Sequence, residues 1–391
     1  MRILQIFSQY RFRGGEEIWV DGMAELLGDS YELDELRFSS NDWVGENAPS
    51  PLKQIFLMGN NPASRAALRE RVANFKPDVL LFHNVIPVGS FGLFEEAKSL
   101  GIPVLYYIHN FRPFSPSGTL WDGKKVVDAA MHGNSWPEII SGAWQGSRIK
   151  TAILAWHLYL ARKNGLFECI THWLAISDFM RDRFIEAGIP AHKITTLRHC
   201  VANIPPLTDA VEGDYYLFLG RMVPEKGVLT LIKAWRLLEQ ELGDNCPKLI
   251  LAGDGPLESE LRLHAKKMKR IECVGFVSGE EKAKLVRSCR ALMAPAIWWE
   301  PLGLTAYDAY AACRPVIAAR AGALEETVTD GETGWLHEAG NPKDLSRAVI
   351  TAEQSGKEQR AKRGEQGREW LIQNADPEEW RRSFAAALIL F

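Results

Sequence analysis

The sequence predicts an α/β protein made of two doubly wound, parallel-sheet units. Three observations carry this. Short apolar runs alternate with longer stretches of helical spacing along the whole chain. The runs are near-continuous rather than alternating, as strands buried on both faces must be. The 391 residues, at roughly 100–200 per domain, make two domains.

In the first half the runs are Ile3–Phe7, Val79–Phe82, Val104–Ile108 and Trp173–Ile176. In the second they are Tyr216–Leu219, Leu249–Ala252, Cys273–Phe276, Ala291–Ala294 and Val316–Ala319. The spacing leaves room for crossover helices. The stretch Val201–Asp214 has two prolines and no periodicity, which sets a boundary near residue 204. The expected division is 1–204 and 205–375. The tail, 376–391, is an amphipathic helix with Pro377 at its first position and acids in its first turn. No repeat of fixed period is present.

Composition narrows the class. Lys+Arg total 46 against Asp+Glu 49, a net charge of −3, so the chain is not a general nucleic-acid binder. Its 46% hydrophobic content supplies two real cores. Six cysteines without a C-x-x-C pair read as free thiols in a reducing compartment. The first residues hold too short an apolar run for a signal peptide, and no stretch reaches the roughly 18 apolar residues of a spanning helix. The expectation is a cytoplasmic protein. Residues 141–167 are unusual, with four basic residues, no acid, and apolar or aromatic side chains at most other positions. They read either as a core helix with basic ends, the commoner use of such spacing, or as a helix lying on the inner face of an anionic membrane.

The chemistry concentrates in the second half. In FLGRMVPEKG (218–227) a strand ends at Gly220; Arg221 follows, and Lys226 comes five residues later. Ligands of open α/β sheets sit beyond the carboxyl ends of strands, and a forked cation beside a compact one suits a diphosphate there. AGDGPLESEL (252–261) is a tight strand-to-helix turn, with the helix expected from Pro256. In APAIWWEPLGLTAYDAYAA (294–312), Glu300 follows a strand and a helix begins near Gly303. The open amides of Gly303, Leu304 and Thr305 form a ready anion site. Asp308 lies on an otherwise apolar helix and must have a partner, for which sugar or ribose hydroxyls are suited.

These motifs resemble those of family 4 glycosyltransferases of the GT-B fold, in which two Rossmann-like domains face each other across a cleft. The acid–x7–acid pattern reads Glu300…Asp308, and the preceding Arg…Lys pair reads Arg221 and Lys226. The resemblance implies that Glu300 holds the donor sugar and Asp308 the ribose. It implies that Arg221 and Lys226 neutralise the diphosphate together with the Leu304 and Thr305 amides, and that Gly275, Phe276 and Val277 border the base. In the first domain, GGEE matches the glycine-rich loop that approaches the diphosphate, at Gly14 and Gly15, and His109 matches a histidine facing the reacting carbon. Two positions depart from the family: Asp308 stands where Glu is usual, and Arg198-His199-Cys200 replaces Asn-Gly.

The implied activity is a hexosyltransferase-type, retaining transfer from a nucleotide sugar, with UDP the commonest carrier. The acceptor would be a glycan or lipid-linked molecule in polysaccharide or glycoconjugate synthesis, bound by the first domain. No cofactor, metal or protein nucleophile is implied, and the sequence has no D-x-D motif. A leaving-group phosphate oxygen would assist deprotonation of the acceptor. The final helix would return to the first domain. The long stretch Phe111–Trp136 beside His109 is expected to be an irregular substrate loop. Competing readings are a nucleotide-sugar epimerase and a non-catalytic sugar-nucleotide-binding protein. A glycogen-phosphorylase-like enzyme would be far longer than this chain.

Overall fold

The computed structural model describes residues 1–11, 14–206 and 212–390. The expected linker at 201–214 therefore lies partly outside the described residues, at 207–211. Two compact units result. One is built from Met1–Asp122, Val127–His199 and the last helix, the other from Gly123–Val126 and Cys200–Asp376. The chain changes unit about five residues before the composition shift, because the following segment is tied to the second unit. There Val201 donates to the Ala375 carbonyl at 2.9 Å, and Arg368 donates to Pro205 at 2.8 Å.

The first unit opens with β1 (Arg2–Gln9), α1 (Gly15–Leu27), β2 (Glu32–Ser39), α2 (Pro51–Gly59) and α3 (Pro62–Phe75). It continues with β3 (Val79–Phe82), α4 (Gly92–Leu100), β4 (Val104–Ile108), α5 (Trp136–Ser141) and α6 (Arg148–Lys163). It closes on β5 (Ile170–Ala175), α7 (Asp178–Glu186) and β6 (Ile194–Thr196). The six strands pair in the order β2-β1-β3-β4-β5-β6, every neighbour parallel.

The second unit begins with β7 (Tyr215–Leu219), α8 (Val228–Leu242), β8 (Lys248–Ala252), α9 (Glu258–Ala265) and β9 (Ile271–Gly275). Then come α10 (Gly279–Ser288), β10 (Leu292–Ala294), α11 (Leu304–Ala311), β11 (Val316–Ala319), α12 (Leu324–Thr327) and β12 (Gly334–His337). Two long helices end it, α13 (Pro342–Gln354) and α14 (Gly356–Asn374). Its sheet runs β12-β11-β10-β7-β8-β9, again all parallel. Both sheets are doubly wound, and the strand order reverses beside β1 and β7, the kind of switch point beyond which open α/β sheets bind ligands.

Each core follows from the apolar runs. In the second unit α8 sends Val228, Leu231, Trp235 and Leu238 into the sheet at helical spacing, and Trp235 donates its indole N–H to the Pro247 carbonyl at 2.9 Å. The helix α9 starts at Glu258, two residues later than Pro256, because Pro256 and Leu257 are spent on the turn from Gly255. Three strands were not visible as apolar runs: β2, β6 and β12. All three are sheet edges; β2 is half charged, and β6 and β12 are only three and four residues long, too short to stand out as runs. Among the described residues, no helix is long and apolar enough to cross a membrane.

The last helix, α15 (Pro377–Leu388), packs on the first unit. Arg381 donates to the Leu26 carbonyl at 2.7 Å, Trp380 donates to the Tyr107 hydroxyl at 3.3 Å, and Phe384 stacks on Trp380. Phe384 is fully buried, so Phe384→Ala should cost about 3–5 kcal/mol, the usual cavity penalty. Ile389, 81% exposed, is the control, and Ile389→Ala should move stability by under about 0.5 kcal/mol. Denaturant unfolding followed by tryptophan fluorescence measures both.

Candidate active site

The second unit presents a charged edge beyond the carboxyl ends of its strands. Arg221 follows Gly220 directly and is exposed, with no ion pair or side-chain hydrogen bond among the described residues. Lys226 closes a short 3-10 turn, and Gly227 then starts α8 at a φ of 73°. Only glycine fits position 227: a Cβ there would lie 1.8 Å from the Pro295 carbonyl oxygen. That close approach, with the Ile297 amide donating to the Glu225 carbonyl at 2.9 Å, binds the Lys226 turn to the segment that carries Glu300.

Glu300 itself is fixed twice. Its backbone bridges to Gly322, and its carbonyl accepts from the Ala323 amide at 2.8 Å. Its side chain accepts from Lys226 Nζ at 2.7 Å and from Trp298 Nε1 at 3.0 Å, and the Lys226 ammonium also sits 5.4 Å over the Trp298 ring. Both bonds fall on Oε2, so among the described residues Oε1 keeps its lone pairs for a hydroxyl donor. Trp298 was not singled out from the sequence; the tandem Trp298-Trp299 immediately before Glu300 was the available signal.

Next to this pair, α11 begins at Gly303 with a φ of 86° and no side-chain cap. Its first amides, including those of Leu304 and Thr305, therefore point off the helix end, where the dipole favours an anion. Asp308, on the same helix, does have the partner its setting demands, but that partner is protein: Lys282 of α10, at 2.8 Å. Sequence reasoning pointed to hydroxyls and missed Lys282, which lies 26 positions away on a polar helix.

The end of β9 divides. Phe276 is 70% exposed and offers an aromatic face, whereas the Val277 side chain is buried in a cluster with Leu217 and Ile250. Only the backbone of Val277 can border a ligand. Gly275 accepts from the Gly253 amide at 2.7 Å, which holds the two strand ends together.

In the first unit Gly14 caps α1 with extended backbone, and a Cβ there would meet nothing within 4 Å; Gly15 is the first helical residue. The acid that follows, Glu16, is tightly held. It accepts from the Tyr10 hydroxyl at 2.7 Å, from Asn110 Nδ2 at 3.1 Å and from the Asn84 amide at 3.3 Å. Burial outweighs these bonds and raises its carboxyl to about 7.

His109 directly follows β4, at the centre of a three-histidine chain. Its Nε2 lies 2.9 Å from His83 Nδ1, and its Nδ1 lies 3.1 Å from His199 Nε2. The tautomers follow from the chain's far end. Gln5 spends its amide N–H groups on the Val20 carbonyl and Glu35, so its oxygen must accept from His83 Nε2 at 3.3 Å. Burial keeps all three rings neutral, lowering His109 to about 3 and His83 and His199 well below the usual range. Each ring then has one N–H, and the donors run His199 to His109 to His83 to Gln5. His199 Nδ1 is left without a partner, under the Trp19 indole stacked at 4.1 Å. Both nitrogens of His109 are occupied, so its ring is not a free base.

His83 and His199 were missed as functional candidates. A signal existed: His83-Asn84 and His109-Asn110 are two His-Asn pairs, each directly after an apolar run.

The stretch after His109 is less open than an irregular loop. Buried Glu138 accepts from Ser115 Oγ at 2.8 Å and the Ser117 amide at 2.9 Å, and Arg112 donates to the Pro116 carbonyl. The segment is thus folded around an internal acid. Among the described residues no group of three or more His, Cys, Asp or Glu could hold a metal ion.

Two parallel, doubly wound six-stranded sheets are the architecture of the GT-B glycosyltransferases. Comparison with known proteins agrees. The Glycosyltransferase Family 4 model matches residues 33–202, and the Glycosyl transferases group 1 model matches 204–370. The chain belongs to the family 4-type glycosyltransferases of the GT-B fold.

An uncharacterised glycosyltransferase of Methanocaldococcus jannaschii is 37% identical over 163 residues, 41% of this chain and 44% of that protein. The phosphatidyl-myo-inositol mannosyltransferase of Mycobacterium leprae is 28% identical over 256 residues, 62% of this chain and 63% of the relative. The matched segments thus span less than two thirds of either relative. Among solved structures, Anabaena HepE in complex with UDP superposes with a TM-score of 0.72 at 17% identity, covering 100% of both chains. The sucrose-phosphate synthase of Thermosynechococcus elongatus gives 0.70 at 17% identity, covering 98% of this chain and 97% of that one.

The histidine chain sets a pH dependence. The unfolded rings bind protons near pH 6.5 and the folded ones do not, so the unfolded state holds more protons below that value. First-unit stability should therefore fall as pH drops from about 6.5 towards 3. Glu16 acts in the opposite sense between about 7 and 4.5, as its folded carboxyl is the better proton holder. Denaturant midpoints against pH, for wild type and His199→Gln, measure this. The variant should show a shallower slope over the acid range, and an unchanged slope would rule out a neutral buried His199.

Proposed function

We propose that this protein transfers a sugar from a nucleotide-sugar donor to a glycan or lipid-linked acceptor with retention of anomeric configuration. The observation that carries the reading is the Lys226–Glu300 pair beside Arg221 and the open start of α11. A diphosphate needs fixed positive charge and amide donors, and a sugar needs a held carboxylate; this edge of the sheet supplies both. UDP is the preferred donor nucleotide. Support comes from the UDP bound by Anabaena HepE and from the exposed Phe276 face, on which a base can stack.

The chemistry parallels glycoside hydrolysis. Positive charge develops at the sugar carbon as the carbon–oxygen bond to the diphosphate breaks, and the electron pair leaves on phosphate. Arg221, Lys226 and the Leu304 and Thr305 amides stabilise that departing charge because they are in place beforehand. Lys226 is held by Glu300 and Trp298 before any ligand arrives, so little reorganisation is left to the reaction. Glu300 Oε1 takes a donor-sugar hydroxyl. Asp308, with its shorter side chain steadied by Lys282, takes the ribose. A phosphate oxygen receives the acceptor proton, and no protein nucleophile or metal is required. His109, both nitrogens engaged, is fixed in place within the first unit and does not exchange protons. Gly14 and Gly15 approach the diphosphate, and the acceptor belongs to the first unit, around the Glu138-centred segment.

Lys226→Ala and Glu300→Ala should each lower turnover by two orders of magnitude or more, the scale of losing a charge-stabilising group, with the far-ultraviolet circular dichroism unchanged. Near-normal transfer by either variant contradicts the assignment. Incubating the enzyme with donor alone separates this reading from an epimerase, which would change the sugar without an acceptor.

A further inference from the structure

The segment 141–167 resolves into two faces. On α6, Thr151, Leu154, Ala155, Leu158 and Ala161 are buried, which is the packing side. The opposite stripe carries Ile149, Trp156 and Tyr159, each half to three quarters exposed. Trp156 and Tyr159 stack at 5.6 Å, and Lys163 lies over the Tyr159 ring. Single exposed apolar residues are ordinary, but these do not stand alone.

Two further helices of the first unit extend the stripe. His157 bonds to the Ile55 carbonyl of α2 at 2.9 Å, and the exposed Phe56 and Trp156 are the chain neighbours of that pair. At the other end α5 turns into α6 through Gly142, where a Cβ would lie 3.2 Å from the Arg148 amide. Exposed Ile140 and Ile149 flank this turn, and exposed Trp136 opens α5. Three contacting helices thus present aliphatic and aromatic side chains outwards.

The charge on them has one sign. Lys53, Arg148, Lys150 and Lys163 are exposed, whereas the acid on these helices, Glu138, is buried and bonded inwards. Arg162 is turned inwards as well, over Phe114. Apolar and indole side chains rimmed by cations are what an interfacial element presents to anionic lipid. A water-facing helix would carry acids among its bases, and a partner-protein core would be depleted of lysine.

We propose that the face formed by α2, α5 and α6 docks the protein on an anionic lipid bilayer. This rests on the lipid-linked acceptor reading for its purpose, since it brings the first unit to a membrane-held substrate, but its test needs neither donor nor acceptor.

The full chain would be sedimented with vesicles of phosphatidylcholine alone and with vesicles about one third phosphatidylglycerol. Binding is expected to the anionic vesicles and to fall steeply with added salt. Arg148→Glu with Lys150→Glu should reduce it more than tenfold, as each cation contributes about fivefold. Phe56→Ser with Trp156→Ser should abolish it, with an unchanged unfolding midpoint showing that the fold is intact. No anionic-vesicle binding, or binding indifferent to both double variants, overturns the proposal. So does a dimer, measured by light scattering, that Trp156→Ser dissolves, because a second copy would then cover the face. Any of these failures leaves sugar transfer by the purified enzyme with a soluble acceptor untouched.

Discussion

Everything at the second unit's edge depends on one contact, the salt bridge between Lys226 and Glu300. The two residues are 74 positions apart and arrive on different loops. They meet because Gly227 lets its turn press on the Pro295 carbonyl and because Glu300 is pinned to Gly322 and Ala323. An ion pair this sheltered contributes little net stability once desolvation is counted. Its value lies in placement: it sets a cation and a carboxylate side by side, each with capacity left over. Arg221 and the start of α11 complete a surface ready for a diphosphate with a sugar beside it.

The first unit is organised differently. Its polar centre is a line of neutral imidazoles running from Gln5 to His199, closed over by Trp19. Trp19 in turn meets Trp380 of α15 at 5.6 Å, so the last helix buttresses the same cluster. A buried chain of this kind holds its members in one orientation, because any ring flip leaves a donor or acceptor without a partner. His109 is thereby fixed as a shape. Glu16 sits beside the glycine pair and is joined to the ends of the neighbouring strands through Asn84 and Asn110, the residues that follow His83 and His109.

Much of this was legible in the residues. Central strands announce themselves as apolar runs because they are buried on both faces; all eight were placed that way, and so was the edge strand β9. The three that escaped are edges, and β2 shows why: four of the eight residues of ELDELRFS are charged, and none is fully buried. Of the site, what is local in sequence was readable, namely the Arg–Lys turn, the acid pair and the glycine before α11. Contacts made by distant segments were not. Lys282 reaches Asp308 from another helix, and His83 and His199 reach His109 from the segments that follow β3 and β6. Val277 was placed at the base position by resemblance, but its side chain points into the core.

The central claim is that the edge built on Lys226, Glu300 and Arg221 receives a nucleotide diphosphate sugar. The most direct measurement is a thermal-shift panel of UDP-, GDP- and ADP-sugars, with chelator present, on wild type and Lys226→Ala. A ligand bound only by the folded state must raise the melting temperature by mass action. A rise with one nucleotide class, UDP foremost, that disappears in the variant is the expected result. No rise with any of them, or an equal rise in the variant, would contradict it.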